Sequence, residues 1–80
     1  MSQQAEWSLT RELQQERSPV AWRLWEELCG AAEFHRMSDD ERERVGILAA
    51  GVSRLIERGQ EITEARAQEI RALAGLGGGA

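Results

Sequence analysis

The chain has 80 residues, a formal net charge of -4 and a single cysteine. That length fits one domain and buries only about 60 to 65% of the unfolded surface. One cysteine excludes an internal disulfide, and no Cys/His cluster offers the four ligands of structural zinc. The acidic balance also argues against nonspecific phosphate binding, which needs clustered positive charge, so no nucleic-acid partner is expected.

Met1 to Glu6 carry neither a basic region nor an apolar run, and the longest apolar stretch, Ile47 to Val52, is far too short to span a bilayer. The protein is therefore expected in the cytoplasm, without a membrane partner. All ten basic residues are Arg, and Lys, Asn and Tyr are absent. That bias points to a GC-rich coding sequence and carries no information about activity.

Taken in chain order, Ala5, Leu9 and Leu13 recur at i, i+4, i+8 among Gln, Glu and Arg. This spacing predicts a polar helix over about residues 8–17 with a narrow apolar seam, capped by Ser8 or Ser2. Ser18-Pro19 then predicts a second start, with serine as N-cap and proline at N1, where its missing N–H would be unpaired anyway. In the helix expected over 19–36, Ala21, Leu24, Trp25, Leu28 and Ala32 form an apolar stripe. Val20, Ala31 and Phe34 widen it on one flank, and Trp22, Trp25 and Cys29 on the other. So broad a stripe implies contact with more than one neighbour.

Ser38-Asp39-Asp40-Glu41 reads as a capping box, with acidic residues complementing the helix dipole. It predicts a helix over 39–58, with Val45, Leu48, Val52, Leu55 and Ile56 on one face and Gly59 supplying the positive φ that ends it. Its other side carries Gly46, Ala50 and Ser53, with Ile47 and Gly51 alongside, which would let another backbone approach closely. A third helix is expected over 63–74, with Thr63 as cap, Ile62 as a hydrophobic staple toward Ala67, and Ala67, Ile70, Leu73 and Ala74 as its stripe.

The expected fold is thus all-α, a small bundle of three main helices plus an N-terminal helix, formed by one domain over 1–74 and followed by a flexible Gly-rich tail over 75–80. A core this thin seldom supplies more than ~3–5 kcal/mol. Self-association is therefore expected, as a homodimer with the 39–58 helix or the Trp-bearing helix at the seam.

Chemistry-bearing groups are few. His35 and Cys29 lie six residues apart on one helix and point in different directions, and Glu33 does not complete a ligand set with them. No cofactor, metal or catalytic residue is assigned, and the protein is expected to be non-enzymatic. Asp39, Asp40, Glu41 and Glu43 allow a reading as a phosphate mimic, although helix-dipole capping accounts for them more simply.

Trp7, Trp22 and Trp25 supply most of the aromatic area of a chain with no Tyr and one Phe. Each indole can bury about 150–250 Å². Trp22 lies at the edge of its stripe and Trp7 off the Leu9/Leu13 seam, so partial exposure is expected there. The candidate partner-binding residues are Trp7, Trp22, Trp25, Asp39, Asp40 and Glu43.

The leading functional expectation is a protein-binding regulator, adaptor or inhibitor. It would come from a phage or mobile element and block a surface of a host enzyme or defence complex. Two alternatives stand beside it. One is a DNA-binding regulator with a helix-turn-helix-like 39–74 segment presenting Arg66, Gln68 and Arg71. The other is a small metal or thiol protein using Cys29 and His35.

Overall fold

The computed structural model describes residues 10–76 except His35, and only the backbone of Phe34. Over these residues the protein is all-helical, with four helices and no strand: α1 (Arg11–Arg17), α2 (Pro19–Phe34), α3 (Asp39–Glu57) and α4 (Glu64–Leu73). None is long and apolar enough to cross a membrane.

Each helix start has a chemical cause. The Thr10 hydroxyl accepts from the Leu13 N–H at 3.2 Å and opens α1. Threonine therefore caps this helix within the described residues; Ser2 and Ser8 lie outside them. At α3 the capping box is complete: the Glu41 N–H donates to Ser38 Oγ at 3.2 Å and the Ser38 N–H to Glu41 Oε1 at 2.8 Å. Thr63 opens α4 by accepting from the Arg66 N–H at 3.0 Å.

The start of α2 departs from expectation. Ser18 precedes Pro19, and its carbonyl accepts from the Trp22 N–H at 2.7 Å, but its side chain does not cap. Its own N–H donates to Gln14 O and closes α1, at φ -133° and ψ 55°. That is outside the extended conformation from which an N-cap hydroxyl reaches the N2 or N3 amide. The fully buried Ser18 hydroxyl donates instead to the Gln60 carbonyl at 2.7 Å. Capping passes to Glu61, whose carboxylate accepts from the Val20 N–H at 2.8 Å and the Ala21 N–H at 2.9 Å.

Two helix ends share one solution. After α3, Gly59 adopts φ 71°, its N–H donates to Ile56 O, and the Gln60 N–H donates to Leu55 O, the paired bonds of a Schellman turn. After α4, Gly75 at φ 80° and Leu76 repeat the pattern onto Ala72 O and Arg71 O, with Leu76 half-buried against the core. The first two residues of the expected tail thus form the cap of α4, and the remaining four lie outside the described residues.

The core joins Ala21, Leu24 and Leu28 of α2 to Val45, Ala49, Val52 and Ile56 of α3 and to Ala67 and Ile70 of α4. α2 and α3 run antiparallel. Ser18 meets Gln60 at one end, and the Arg42 guanidinium donates to the Ala32 carbonyl at the other. α4 runs parallel to α2, because Glu61 caps the first turn of α2, Arg23 pairs with Glu64 at 3.5 Å, and Arg71 forks onto Glu27 at 2.5 and 3.3 Å. The pairs Arg23/Glu27 and Glu41/Arg44 allowed by helical spacing are replaced by these contacts between helices and by the capping box. Arg66 and Glu69 do pair within α4, at 2.9 Å.

α4 lies close to α2 and stands off from α3. No backbone of this chain approaches Gly46 or Gly51, since a Cβ at either would meet nothing within 4 Å.

Replacing Glu61 with Ala leaves the Val20 and Ala21 amides without their acceptor and is expected to cost about 1–2 kcal/mol. On a domain of this size that lowers the melting midpoint by roughly 4–8 °C per kcal/mol. Glu64→Ala, which removes an exposed pair with Arg23 and one acidic residue of the first turn of α4, should shift it less; equal shifts in thermal denaturation would show that Glu61 does not cap. Gly30→Ala, at a helix-interior site where a Cβ meets nothing within 4 Å, should raise the midpoint, with a gain of up to ~1 kcal/mol.

Candidate protein-binding surface

Because α2 begins at Pro19, its first two turns carry Trp22 and Trp25 on the flank that faces α1 and the last turns of α3. The two rings lie 5.5 Å apart, tilted by 48°, and both are half-buried against the core. Arg11, at the start of α1, places its guanidinium carbon 5.9 Å from the Trp22 centroid, a cation–π contact worth about 0.5–1 kcal/mol at an exposed site. α1 buries none of its own residues, so this contact is one of the few that hold it down.

Between the indoles, Arg11 and Gln14 on one side and Ser53, Ile56 and Glu57 on the other lies an open hollow of about 160 Å³. It is close in size to the roughly 150 Å³ cavity that accepts benzene in an apolar core. The Trp22 Nε1–H is buried and meets no acceptor among the described residues.

The structure brings Trp22 and Trp25 together and sets the acidic candidates apart. Asp39, Asp40 and Glu43 are exposed at the far end of α3, and Asp39 lies ~21 Å along the axis from Ser53. Asp39 and Asp40 sit in the first turn of α3, where the dipole favours them. Trp7 lies outside the described residues.

A second concavity was not anticipated from the sequence. Where α4 stands off from α3, an apolar groove of about 290 Å³ opens over Leu48, Val52, Leu55, Ile62 and Ile70. Ile47 and Leu73 form its rim, 65% and 56% exposed. Ile47 carried a sequence signal, being out of phase with the Val45/Leu48/Val52 stripe. Leu73 did not, because it falls in phase with Ile70.

The groups behind the other readings are distributed as follows. Among the described residues no three His, Cys, Asp or Glu side chains converge as metal ligands, and His35 lies outside them. Arg66 is held by Glu69 and Arg71 by Glu27, so both arginines of the recognition-helix reading are engaged within the chain. Cys29 is a half-buried free thiol. Burial, and then the charge of Glu33, raise its pKa above the ordinary cysteine range. Comparison with known proteins adds no relative: no family model, no curated protein and no solved structure matches this chain.

The thiolate is the reactive form of cysteine, so a raised pKa reduces reactivity at neutral pH. Alkylation of Cys29 by iodoacetamide, followed by mass spectrometry, should be slower than that of free cysteine at neutral pH and should accelerate as pH rises. Glu33→Gln should speed it. A rate equal to or above that of free cysteine would contradict this assignment.

Proposed function

We propose that this protein is a non-enzymatic binding module, a regulator or inhibitor that acts by covering a surface of a larger protein. In this reading an apolar side chain of the partner enters the hollow beside Trp22 and Trp25. The observation that carries it is the pair of half-buried, mutually tilted indoles, with Arg11 over Trp22, that flank an open hollow of about 160 Å³.

Trp and Arg dominate binding hot spots, because large rigid rings and a planar cation bury much area for few rotatable bonds. A helical scaffold suits such a task. Helices α2 and α3 fix the floor of the hollow through the core, while α1, which buries none of its residues, can adjust its wall.

The test uses two substitutions that leave the core intact. Ser53→Arg fills the hollow and Arg11→Glu removes the cation over Trp22. A partner captured by the wild-type protein from its native cells should be lost, or bound roughly tenfold more weakly or worse, with either variant. Thermal denaturation should show both variants folded. Retention of the same partner by Ser53→Arg would rule the hollow out. DNA binding that survives physiological salt and disappears with Arg66→Ala plus Arg71→Ala would replace this function with transcriptional regulation.

A further inference from the structure

The outer face of α3 carries charge in an ordered way. The helix repeat of 3.6 residues places Asp40, Glu43, Ile47, Ala50, Gly51, Arg54 and Arg58 on one side, opposite the buried Val45, Ala49, Val52 and Ile56, and all seven are exposed. The face is acidic at its N-terminal end, apolar and small in the middle, and basic at its C-terminal end. Asp40, Glu43, Arg54 and Arg58 enter no ion pair among the described residues.

This order has a symmetry. Turned end over end, the face matches itself about its middle: Glu43 falls opposite Arg54 and Ile47 opposite Ala50, with Arg58 one residue beyond the level of Asp40. We infer that α3 is the seam of a two-fold symmetric homodimer in which the outer faces of two α3 helices run antiparallel. The Glu43–Arg54 pair then forms twice, and Ile47 of each copy seats over Ala50 and Gly51 of the other. A two-fold interface requires one patch to complement itself, which this face does and which a surface evolved for an unlike partner has no reason to do.

Shape agrees with charge. A Cβ at Gly51 would meet nothing within 4 Å and Ala50 beside it is small, so a second backbone can approach closely at the middle of the face. The groove between α3 and α4 opens beside Gly51, and the rim residues Ile47 and Leu73 are the two most exposed large apolar side chains among the described residues. A stable dimer buries at least about 1,000 Å² in total. Contact along all of α3, some 28 Å, together with the groove rim, provides the length for it. Antiparallel alignment also sets the two helix dipoles in opposition. This face is distinct from the indole hollow, so the inference stands independently of the function proposed above.

A charge-reversal series tests it, with mass measured by light scattering and sedimentation from micromolar to near-millimolar concentration at low salt. The wild-type chain should move from one chain mass to two. Glu43→Arg and Arg54→Glu, each alone, place like charges opposite each other twice and should weaken association by roughly tenfold or more. Mixed in equal amounts, these two variants restore both pairs in one heterodimer, and association should return. Ile47→Asp should remain monomeric, and raised salt should weaken the wild-type dimer because the pairs are exposed. Circular dichroism should show every variant helical, since none of the altered side chains is in the core. A wild-type chain that stays monomeric throughout would overturn the inference and leave the face to an unlike partner. Single reversals that associate as the wild type does, or a mixture that fails to associate, would overturn the antiparallel seam.

Discussion

The carboxylate of Glu61 lies on the first turn of α2, accepting from the Val20 and Ala21 amides, while the Ser18 hydroxyl donates to the Gln60 carbonyl. A helix start leaves several N–H groups unpaired; Pro19 has none to leave, and Glu61 takes the next two. The junction therefore ties two breaks in the chain, the one between α1 and α2 and the one between α3 and α4. With those breaks joined, α4 has to set out beside the N-terminus of α2 and run parallel to it. Arg23–Glu64 and Glu27–Arg71 then extend the same alignment along the surface.

Much of the surface follows from that alignment. Because α4 is drawn to α2, it stands off from α3, and the apolar groove with Ile47 and Leu73 on its rim opens between them. At the junction end of the molecule α1 turns back over α2 at Ser18 and reaches Trp22 through Arg11, without burying a residue of its own. The core is correspondingly small, and three of its central residues, Ala21, Ala49 and Ala67, are alanines. Apolar area that a larger domain would enclose stays at its edges, at the indole hollow and along α3.

How much of this could be read from the residues depends on range. Ser38 and Glu41, Thr63, and Gly59 act on neighbours within a few positions, so the starts of α3 and α4 and the end of α3 were legible. The cap of α2 was not, because its acceptor lies some forty residues away and Ser18 looks like an ordinary N-cap until the conformation of its backbone is known. Arg23 and Glu27 illustrate the same point: helical spacing allows them to pair, yet each has a partner on or near α4. The edge position of Trp22 and Trp25 in their stripe was visible, and both are half-buried. That Arg11, Ser53 and Glu57 would complete a hollow around them was not, since those residues come from two other helices.

By itself, then, the order of the residues determined that the chain forms helices, roughly where each begins and ends, and which stripe of each is apolar, because caps, glycine turns and the 3.6-residue repeat operate over one or two turns of backbone. Tertiary structure alone decided which flank of each stripe is covered, who caps α2, and that Leu73 is exposed while Ile70 beside it is buried. Those outcomes depend on where the three connections set the helix axes relative to one another. A shift of an axis by a few ångströms moves a side chain from the core to the rim without any change in its local pattern.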